Sequence, residues 1–378
     1  MRAIEAQTGR GARTVLFDYT THPTRTMRAV RPEPQPIPGP DTEKERLADE
    51  ALDGALSRRP LPNWEDRDAP ATIPPRSQPP QFDVEPGERE LVRGVLTRVD
   101  GPDAGRVFSL PRDQLTIGRS HRADLHLPDH GVSRKHARIC FLDDAFVLED
   151  LSSRNGTFVG KERVDRAQLR QGDVIRVGAV ATFRFCWMDV HQEALLKHLY
   201  ETSVRDALTG SFNRRYLQQR IEAELAYASR HRSELSLLLL DIDFFKKVND
   251  VHGHLEGDRI LAEVAAACQR QLRTEDTFAR YGGEEFAALL RGVPLIGAIR
   301  AAERVREAVL RRVAIGEPPH PITVSIGCST YDPESMSRSD QLVLSADQHL
   351  YDAKQAGRNC VVADGYRTPL QPGSPSPQ

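Results

Sequence analysis

The 378-residue sequence has few cysteines, no long apolar run and almost no net charge. Its five cysteines are scattered and form no C-x-x-C pair, which excludes a disulfide framework or a cysteine metal site and is typical of a reducing, cytoplasmic protein. The densest apolar stretch, Leu237–Leu240, is far shorter than the ~20 residues that span a bilayer. Residues 1–18 have no apolar core followed by a cleavage site, so we expect neither a secretory signal nor a membrane partner.

The formal net charge of −2 gives the chain no overall positive field. Binding to a nucleic-acid backbone depends on such a field, and no run of lysine and arginine supplies one locally. We therefore expect no nucleic-acid partner.

Residues 1–90 differ in composition from the rest of the chain and hold 14 of its 26 prolines. Alternating prolines form neither a helix interior nor a sheet ladder, and weak apolar periodicity leaves little surface to bury. We predict a disordered tail here, with one short helix near residues 43–56, and a second loose tail over residues 365–378. The alternating prolines are Pro32, Pro34, Pro36, Pro38 and Pro40.

The first 31 residues of the tail carry six arginines against two acidic residues, whereas residues 32–90 are net acidic. Flexible threonines beside arginines are accessible to a kinase. The alternative is a solvated tail with no such role. The threonines concerned are Thr8, Thr14, Thr20, Thr21, Thr24 and Thr26.

Two regions of regular structure follow the tail. Residues 91–188 contain short apolar runs separated by Gly, Asp and Asn turns, which predicts an all-β sandwich. Residues 189–203 predict a linking helix, too short for a coiled coil, whose apolar stripe is Leu195, Leu196, Leu199 and Tyr200.

Residues 204–364 alternate helices with strands and predict an α/β domain. The apolar run Leu235–Leu240 is typical of a central strand covered on both faces. A second strand is predicted at Ile322–Ile326. The predicted helices are Tyr216–Arg230, Ile260–Leu272, Ile299–Arg312 and Gln341–Gln355.

Three motifs in the β region carry residue types suited to a phosphorylated peptide. Arg119 offers a planar fork of donors for phosphate, and Ser133 adds a hydroxyl. Asn155, before Gly156, suits a tight turn that bonds an extended peptide backbone, although the pair also fits a plain hairpin turn, and Arg119 a surface ion pair. The motifs occupy residues 118–120, 133–136 and 150–159.

Together these motifs resemble the forkhead-associated (FHA) family over residues 91–188. The resemblance implies phosphothreonine binding by Arg119, Ser133 and Asn155, with help from Arg134 and Arg154, and a structural role for His136. The phosphothreonine would come from the tail in cis, at the high effective concentration of a tether, or from another protein in trans.

Carboxylates in the α/β region point to a cation. Asp241 ends a buried strand, where an unpaired carboxylate is costly. Glu284 and Glu285 follow Gly282-Gly283 in a sequence that predicts a hairpin. If the hairpin lies beside the Asp241 strand, three carboxylates converge, and hard oxygen ligands beside phosphate suit Mg²⁺ or Mn²⁺.

The α/β region resembles the GGDEF diguanylate cyclases of bacterial signalling over residues 204–364. The signature is Arg280-Tyr281-Gly282-Gly283-Glu284-Glu285-Phe286. The family condenses two GTP into cyclic di-GMP and two pyrophosphates, with one GTP held in each domain of a homodimer. The other matching segments are residues 206–210, 213–215, 240–250, 253–254, 257–258, 324–327 and 351–359.

The resemblance assigns a role to each matching residue. The metal-holding positions are Asp241, the carbonyl of Ile242, and Glu284, and Glu285 assists as a ligand or in activating the 3′-hydroxyl. Asn249 and Asp258 read guanine, although Asn249 also fits a helix cap. The triphosphate positions are the backbone amides of Phe244 and Phe245, the glycine Gly283, which a nucleotide can approach closely, and the cations Lys246, Lys354 and Arg358. Arg358 follows Lys354 by one helical turn, and the alternative is that these two residues simply face solvent.

Arg273 and Asp276 fit the family's R-x-x-D site for product inhibition, with Arg304 as a secondary contact. The alternative is an ion pair between Arg273 and Asp276 at a helix end.

The expected architecture is an FHA sandwich followed by a cyclase, palm-like α/β domain after a disordered tail. Regulation of a cyclase by phosphothreonine is the function favoured by this order. The alternative is a non-catalytic adaptor whose α/β domain only senses GTP or cyclic di-GMP. A polymerase-like palm domain predicts a basic groove that the sequence lacks.

Overall fold

A computed structural model describes residues 92–179 and 181–369, all within one compact unit, Gln78–Gln378. The predicted tail at residues 1–90, with its helix near residues 43–56, lies outside the described residues, as do residues 370–378 of the predicted C-terminal tail. The loose C-terminal tail was predicted to begin too early, at residue 365, because Tyr366–Arg367 form a strand that pairs with residues 362–363. No described helix combines the length and apolar character needed to cross a membrane.

Residues 92–189 form two facing sheets, as the short apolar runs predict. The strand order is β2-β1-β11-β10-β7-β8 in one sheet and β4-β3-β5-β6-β9 in the other. The strands are β1 (Val92–Arg98), β2 (Val107–Ser109), β3 (Gln114–Gly118), β4 (Leu125–His126), β5 (Ala137–Leu142), β6 (Ala145–Asp150), β7 (Thr157–Val159), β8 (Glu162–Val164), β9 (Arg166–Gln168), β10 (Val174–Val177) and β11 (Ala181–Asp189).

Alternation along the strands produces the core between the sheets. In β11, Ala181, Phe183 and Phe185 are buried, whereas Arg184 between the two phenylalanines is exposed. Successive side chains of a strand point to opposite faces, so the buried set lies toward the facing sheet. There it meets Phe146 of the other sheet. The ends of the strands therefore carry the loops that hold the predicted phosphate-binding residues.

Helix α1 (Val190–Val204) joins the sandwich to the α/β domain. Its buried residues are Glu193, Tyr200 and Val204. Of the predicted apolar stripe only Tyr200 is buried; Leu195, Leu196 and Leu199 are exposed. The periodicity identified the helix, and one of its buried residues, Glu193, accepts a hydrogen bond from the hydroxyl of Ser109 in β2.

The α/β domain is a seven-stranded sheet covered by helices, in the order β12-β14-β15-β13-β18-β19-β20. Its strands are β12 (Phe212–Asn213), β13 (Leu235–Ile242), β14 (Thr277–Arg280), β15 (Glu285–Arg291), β18 (Val324–Thr330), β19 (Val361–Ala363) and β20 (Tyr366–Arg367), and β16 (Ala314–Ile315) pairs separately with β17 (His320–Pro321). Its helices are α2 (Arg214–His231), α3 (Phe245–His252), α4 (His254–Gln269), α5 (Leu295–Arg312) and α6 (Ser339–Gln355).

Strand β13 is central and buried along its whole length, which confirms the prediction from its apolar run. Leu238 and Leu240 pack in a core with α4 and α5, whereas Leu237 and Leu239 pack in a core with α2 and α6. Two apolar faces on one strand require helices on both sides of the sheet. Asp241 is thereby carried to the end of a strand that has no solvent face.

Some helix and strand bounds differ from prediction. Helix α4 begins six residues before the predicted Ile260, and β18 begins two residues after the predicted Ile322. The eight-residue α3 was not predicted. It starts after Phe244, whose φ of +58° is left-handed and gives no local sequence signal of a helix start.

Candidate active site and phosphate-binding loops

The three carboxylates of the α/β domain are positioned by the pairing of β13 with β15. Asp241 lies directly opposite Glu285 in the antiparallel register. Glu284 precedes β15, and its carbonyl accepts the Ile242 N–H at 3.3 Å. Strands β14 and β15 are joined through residues 281–284, so the predicted hairpin is present and lies beside the end of β13, as the cation interpretation requires.

The carboxylates repel one another in a partly desolvated place. Burial raises the pKa of Asp241, and the charges of Glu285 and Asp243 raise it further, against the lowering effect of Lys354. Burial raises the pKa of Glu284 as well, and the charge of Asp241 adds to that rise. Both carboxylates would be stabilised by added positive charge.

Lys354 supplies one such charge. Its Nζ lies 2.8 Å from Oδ2 of Asp241, although the two residues belong to α6 and β13. The alternative that Lys354 merely faces solvent is therefore excluded by this contact. The ammonium favours the charged form of the Asp241 carboxylate and so opposes the effect of burial on its pKa.

The predicted convergence of three carboxylates on one ion is only partly present. Within the described ranges, no group of three His, Cys, Asp or Glu side chains has the arrangement of a complete metal site. The carboxylate of Glu285 packs instead against Gly282, so close that a Cβ on that glycine would clash with Oε2. Asp241, Glu284 and the Ile242 carbonyl remain as oxygen donors, and Mg²⁺ commonly takes only one or two carboxylates beside substrate phosphates. The residues present therefore fit a divalent cation shared with a bound phosphate.

Asp243 is a further buried carboxylate whose role the sequence reasoning missed. Its oxygens accept hydrogen bonds from Thr323 Oγ1 at 2.7 Å and Ser325 Oγ at 2.6 Å. They also accept the Asn359 backbone N–H at 3.0 Å. Asp243 thus ties the end of β13 to the loop carrying Arg358; its spacing of two from Asp241 was the available signal.

The loop before α3 gathers the predicted triphosphate contacts. Phe244 is exposed in a left-handed conformation, Phe245 is buried in the core, and Lys246 is exposed on the first turn of α3. The guanidinium of Arg358 lies over the Phe244 ring, with its Cζ 4.5 Å from the ring centroid. The helix therefore presents its amino end and a lysine beside Arg358.

Lys354 and Arg358 do not lie one helical turn apart, and that part of the prediction is wrong. Helix α6 ends at Gln355, and Gly357 and Arg358 both have positive φ values. Left-handed residues cannot continue a right-handed helix. Arg358 instead comes from the loop after the helix, where Asn359 is tied to Asp243.

The predicted guanine-reading residues lie on α3 and α4. Asn249 lies inside α3, which rules out the helix-cap alternative. Its Oδ1 lies against the backbone of Gly257, where a Cβ would clash with it. Asp258 follows that glycine and is exposed. The glycine therefore permits the close approach of α3 and α4 that places an amide and a carboxylate side by side.

An arginine braces the glycine hairpin. Arg280 donates from Nη2 to the Gly283 carbonyl at 2.7 Å, and its Nη1 lies 3.3 Å from Asp206. Gly283 itself has open space where a Cβ would lie. The sequence motifs contained Arg280 and Asp206, but their pairing was not predicted. The brace holds the hairpin backbone in place while leaving one face of Gly283 accessible.

The predicted product-binding residues lie between α4 and β14. Oδ2 of Asp276 accepts the Arg273 backbone N–H at 2.9 Å, so the carboxylate caps the turn and does not form the alternative ion pair with the guanidinium. Among the described residues, Oδ1 of Asp276 is buried without a hydrogen-bond partner, and burial raises the pKa of this carboxyl. Arg304 donates to the Gln271 carbonyl at 3.4 Å, and its charge acts on Asp276.

The loops of the sandwich bring the predicted phosphate-binding residues together. The Arg119 N–H donates to the Ser133 carbonyl at 2.9 Å. Ser133 Oγ accepts the Arg154 N–H at 3.0 Å, and Asn155 Nδ2 donates to the Gly131 carbonyl at 2.8 Å. Arg134 is exposed and follows Ser133 directly. Three loops remote in sequence are therefore linked at one end of the sandwich, which favours the ligand site over a plain hairpin turn.

His136 stabilises the loops from beneath and is fully buried. Its Nδ1 accepts the Ser133 N–H at 3.0 Å, and its Nε2 lies 3.1 Å from the Gly156 carbonyl. An acceptor at Nδ1 and a carbonyl at Nε2 require the neutral ring protonated on Nε2. Burial lowers the pKa of His136, in agreement with that neutral form.

Both domains match known protein families. The diguanylate cyclase GGDEF domain model matches residues 203–360, and the FHA domain model matches residues 115–178. The chain therefore contains an FHA domain and a GGDEF domain, and both resemblances are confirmed.

The α/β domain has sequence relatives among curated proteins. Response regulator PleD of Caulobacter vibrioides is 41% identical over 170 residues, which are 44% of this chain and 37% of PleD. The probable diguanylate cyclase DgcC of Escherichia coli is 37% identical over 163 residues, 43% of this chain and 44% of that protein. The chain thus spans less than half the length of these relatives.

One solved structure with a bound nucleotide is also similar. The GGDEF domain of DgcB from Caulobacter crescentus, in complex with c-di-GMP, is 32% identical, with a TM-score of 0.40 over 43% of this chain and 93% of that domain.

Proposed function

We propose that the protein is a diguanylate cyclase, which condenses two GTP into cyclic di-GMP and two pyrophosphates across a homodimer. The observation that carries the proposal is the contact of Lys354 with Asp241 beside the Glu284 hairpin. This contact brings an ammonium, two hard carboxylates and an open glycine turn together at one end of the sheet. A triphosphate with a divalent cation requires these groups.

The α/β domain would hold one GTP by its own residues. Lys246, Lys354 and Arg358 neutralise the triphosphate. Gly283 lets the nucleotide approach the hairpin backbone. Asp258 accepts hydrogen bonds from the guanine N1–H and N2–H₂, which adenine cannot offer, and Asn249 contacts the same base. A cytoplasmic protein would meet GTP there, so the proposed substrate is consistent with the cytoplasmic location expected from the scattered cysteines.

Asp241, the Ile242 carbonyl and Glu284 would hold Mg²⁺ or Mn²⁺. The ion supplies neutralisation of phosphate charge and a lower pKa for an attacking hydroxyl. In each condensation the 3′-oxygen of one GTP bonds to the α-phosphorus of the other, and the bond to the departing pyrophosphate breaks. Glu285 lies beside this centre to orient the hydroxyl or take its proton. One GTP per domain requires two domains face to face, hence the homodimer.

The sandwich would regulate this reaction by binding phosphothreonine at Arg119, Ser133, Arg134, Arg154 and Asn155. The ligand would be the chain's own N-terminal threonines or another phosphoprotein. Arg273 and Asp276, with Arg304, would bind cyclic di-GMP and limit its accumulation. Oδ1 of Asp276, which is buried without a hydrogen-bond partner among the described residues, supports that site, since a guanine N–H would satisfy it.

A chromatographic assay tests the proposal. Purified full-length protein is incubated with GTP and Mg²⁺ after removal of bound nucleotide. We expect cyclic di-GMP from the wild type and from Glu307→Gln, an exposed control on α5, and at least about a hundredfold less from Glu284→Gln. The substitution Glu284→Gln keeps the shape of the side chain and removes the charge.

The adaptor alternative predicts a different pattern. GTP or cyclic di-GMP would bind, but neither the wild type nor any variant would make product, even with a phosphothreonine peptide present. That result would contradict the cyclase proposal.

A further inference from the structure

Among the residues that the structure describes, two contacts between the sandwich and the α/β domain differ in burial. At the first, Asp103 accepts a hydrogen bond from the Tyr216 hydroxyl at 2.8 Å and pairs with Arg220 at 3.3 Å. Tyr216 is buried, and Arg220 is about four-fifths buried. This contact lies in the loop between β1 and β2 and ties the sandwich to α2.

The second contact is exposed and lies in the phosphate-binding loop itself. The ring of His130 stacks on Tyr227 of α2, with centroids 6.0 Å apart and planes 12° apart. It also lies 5.2 Å from the ring of His231, which is the last residue of α2. His130 is next to Gly131, whose carbonyl is bonded by Asn155. The loop that would receive a phosphopeptide therefore already touches the other domain.

Positive groups accumulate at this second contact. Burial lowers the pKa of His130, and the charges of Arg119, His231 and Arg291 lower it further, against Asp129. The Cζ of Arg291 lies 4.1 Å from the Tyr227 ring centroid. The charges of Arg119 from the sandwich and Arg291 from the α/β domain thus both act on His130.

The neighbouring carboxylates are already engaged. Asp129 accepts the Gly131 N–H at 2.6 Å. Glu224 pairs with Arg291 at 3.1 Å and with Arg220 at 3.2 Å. Glu275 lies 3.9 Å from Arg273 and is the acidic group whose charge reaches His126 of the sandwich. We call the exposed contact of His130 with Tyr227 and His231 the seam. An anion that binds beside Arg119 would therefore meet hydrogen-bond donors from both domains at the seam.

We propose that the phosphorylated peptide is bound between the two domains, with His231 of the α/β domain completing the site formed by Arg119 and Ser133. The proposal rests on the proposed phosphothreonine binding by the sandwich and adds a residue that the sandwich alone lacks. His231 is exposed, and its imidazole can donate to a phosphate or to a peptide carbonyl. A phosphopeptide bound to both domains would join them at the exposed contact, as Asp103 joins them at the buried contact.

The seam is connected to the candidate active site through α2. Leu217 and Ile221 of this helix pack in one core with Ala279 of β14 and Ala287 of β15. Those two strands carry the Glu284 hairpin between them. A ligand held by His231 therefore contacts the helix that supports the hairpin.

Fluorescence anisotropy on the full-length chain tests the proposal. The probe is a labelled pool of peptides with a fixed phosphothreonine, including each threonine of residues 1–31, and the unphosphorylated pool is the control. We expect His231→Ala to weaken binding about three- to tenfold, or about 0.7–1.4 kcal/mol. Arg230→Ala, which removes an exposed cation one position earlier on α2, should change binding less than twofold. His231→Lys, which restores a donor, should retain wild-type affinity.

Arg119→Ala separates this inference from the proposed function. If Arg119→Ala abolishes binding while His231→Ala equals the wild type, the sandwich binds phosphothreonine alone and the bridging site is wrong. Equal weakening by His231→Ala and Arg230→Ala would reveal a general charge effect and also overturn it. If the wild type binds no phosphothreonine peptide, or Arg119→Ala binds as well as the wild type, the proposed function of the sandwich itself fails.

Discussion

The two candidate phosphate sites of this chain are stabilised in opposite ways. In the sandwich, Ser133 and Asn155 are already hydrogen-bonded within the loops, and neutral His136 supports them from beneath. In the α/β domain, burial raises the pKa values of Asp241 and Glu284, and the charges of neighbouring carboxylates raise them further. The sandwich site is organised without a ligand, whereas the α/β site is completed by positive charge.

The comparison teaches where each domain depends on its surroundings. Hydrogen bonds between backbone groups and neutral side chains do not change with the ionisation of carboxylates. Two like charges held close by a buried strand are relieved by a cation or a proton. We therefore expect the substitutions and conditions below to act differently on the two domains.

The largest expected effect concerns Asp243, a buried carboxylate of the α/β domain whose oxygens both accept hydrogen bonds. Asp243→Ala removes an acceptor of three hydrogen bonds and leaves buried donors unpaired, so the free energy of unfolding should fall by about 3–4 kcal/mol. Urea denaturation followed by circular dichroism at 222 nm measures this.

The controls for Asp243→Ala lie in the same domain. Asp250→Ala, at an exposed position of α3, should change stability by less than about 0.5 kcal/mol. Glu284→Gln should not lower the stability of the metal-free protein, because it removes a repelling charge. Similar losses for Asp243→Ala and Glu284→Gln would contradict the distinction between the two carboxylates.

A smaller loss is expected from His136→Ala in the sandwich. The substitution leaves the Ser133 N–H and the Gly156 carbonyl without their partner and opens a cavity, at a cost of about 2–3 kcal/mol. Fluorescence of Trp187, in a Trp64→Phe background, reports unfolding of the sandwich because Trp187 packs on Phe146 with ring centroids 5.1 Å apart.

The matched control is His198→Ala, an exposed histidine of α1, which should leave the midpoint unchanged. Phosphopeptide binding should weaken in His136→Ala alone. A sandwich that unfolds at the same urea concentration with and without His136 would show that the loops do not depend on this residue.

The smallest effect is the response to pH, and its sign should differ between the domains. The pKa of His136 is lowered from 6.5, so the unfolded state binds the additional proton and the sandwich loses stability as the pH falls below 6.5. The pKa values of Asp241 and Glu284 are raised from 3.8 and 4.5, so the folded state binds additional protons. These two groups therefore stabilise the metal-free α/β domain as the pH falls toward 4.5.

Thermal unfolding between pH 7.5 and pH 4.5 measures both signs. Trp187 fluorescence follows the sandwich, and ellipticity at 222 nm follows the helices, most of which belong to the α/β domain. The difference between the wild type and Glu284→Gln isolates the contribution of Glu284 and should grow with pH. A difference in stability that does not change with pH would contradict the claim that burial and neighbouring charge disfavour the ionised Glu284.

Much of the fold was predictable because its signals are local. The eight-residue apolar strand β13 and the helix α6, predicted from Gln341 to Gln355 and found over Ser339–Gln355, follow from runs and periodicity. Helix α3 was missed because it begins after a left-handed Phe244, a conformation that depends on packing around it. Sequence periodicity located α1 but not its buried face, on which Glu193 accepts a hydrogen bond from Ser109.

The candidate sites show the same division between local sequence signals and contacts of residues remote in sequence. The order of residue types along the chain was enough to nominate Arg119, Ser133 and Asn155 as candidates in one domain and Asp241, Glu284 and Lys354 in the other, since motifs are short and keep their spacing. The role of Asp243 and the brace between Arg280 and Asp206 were not predictable in this way. Their partners lie far away in sequence.

By itself, the sequence determined the two domain types, the positions of most strands and helices, and the chemistry available at each site. These depend on periodicity and on residue type, which are local properties. The tertiary structure alone decided that Lys354 meets Asp241, that Arg358, in the loop after α6, lies over Phe244, and that His130 stacks on Tyr227. Contacts between remote residues follow from how whole elements pack, and that packing is a property of the complete fold.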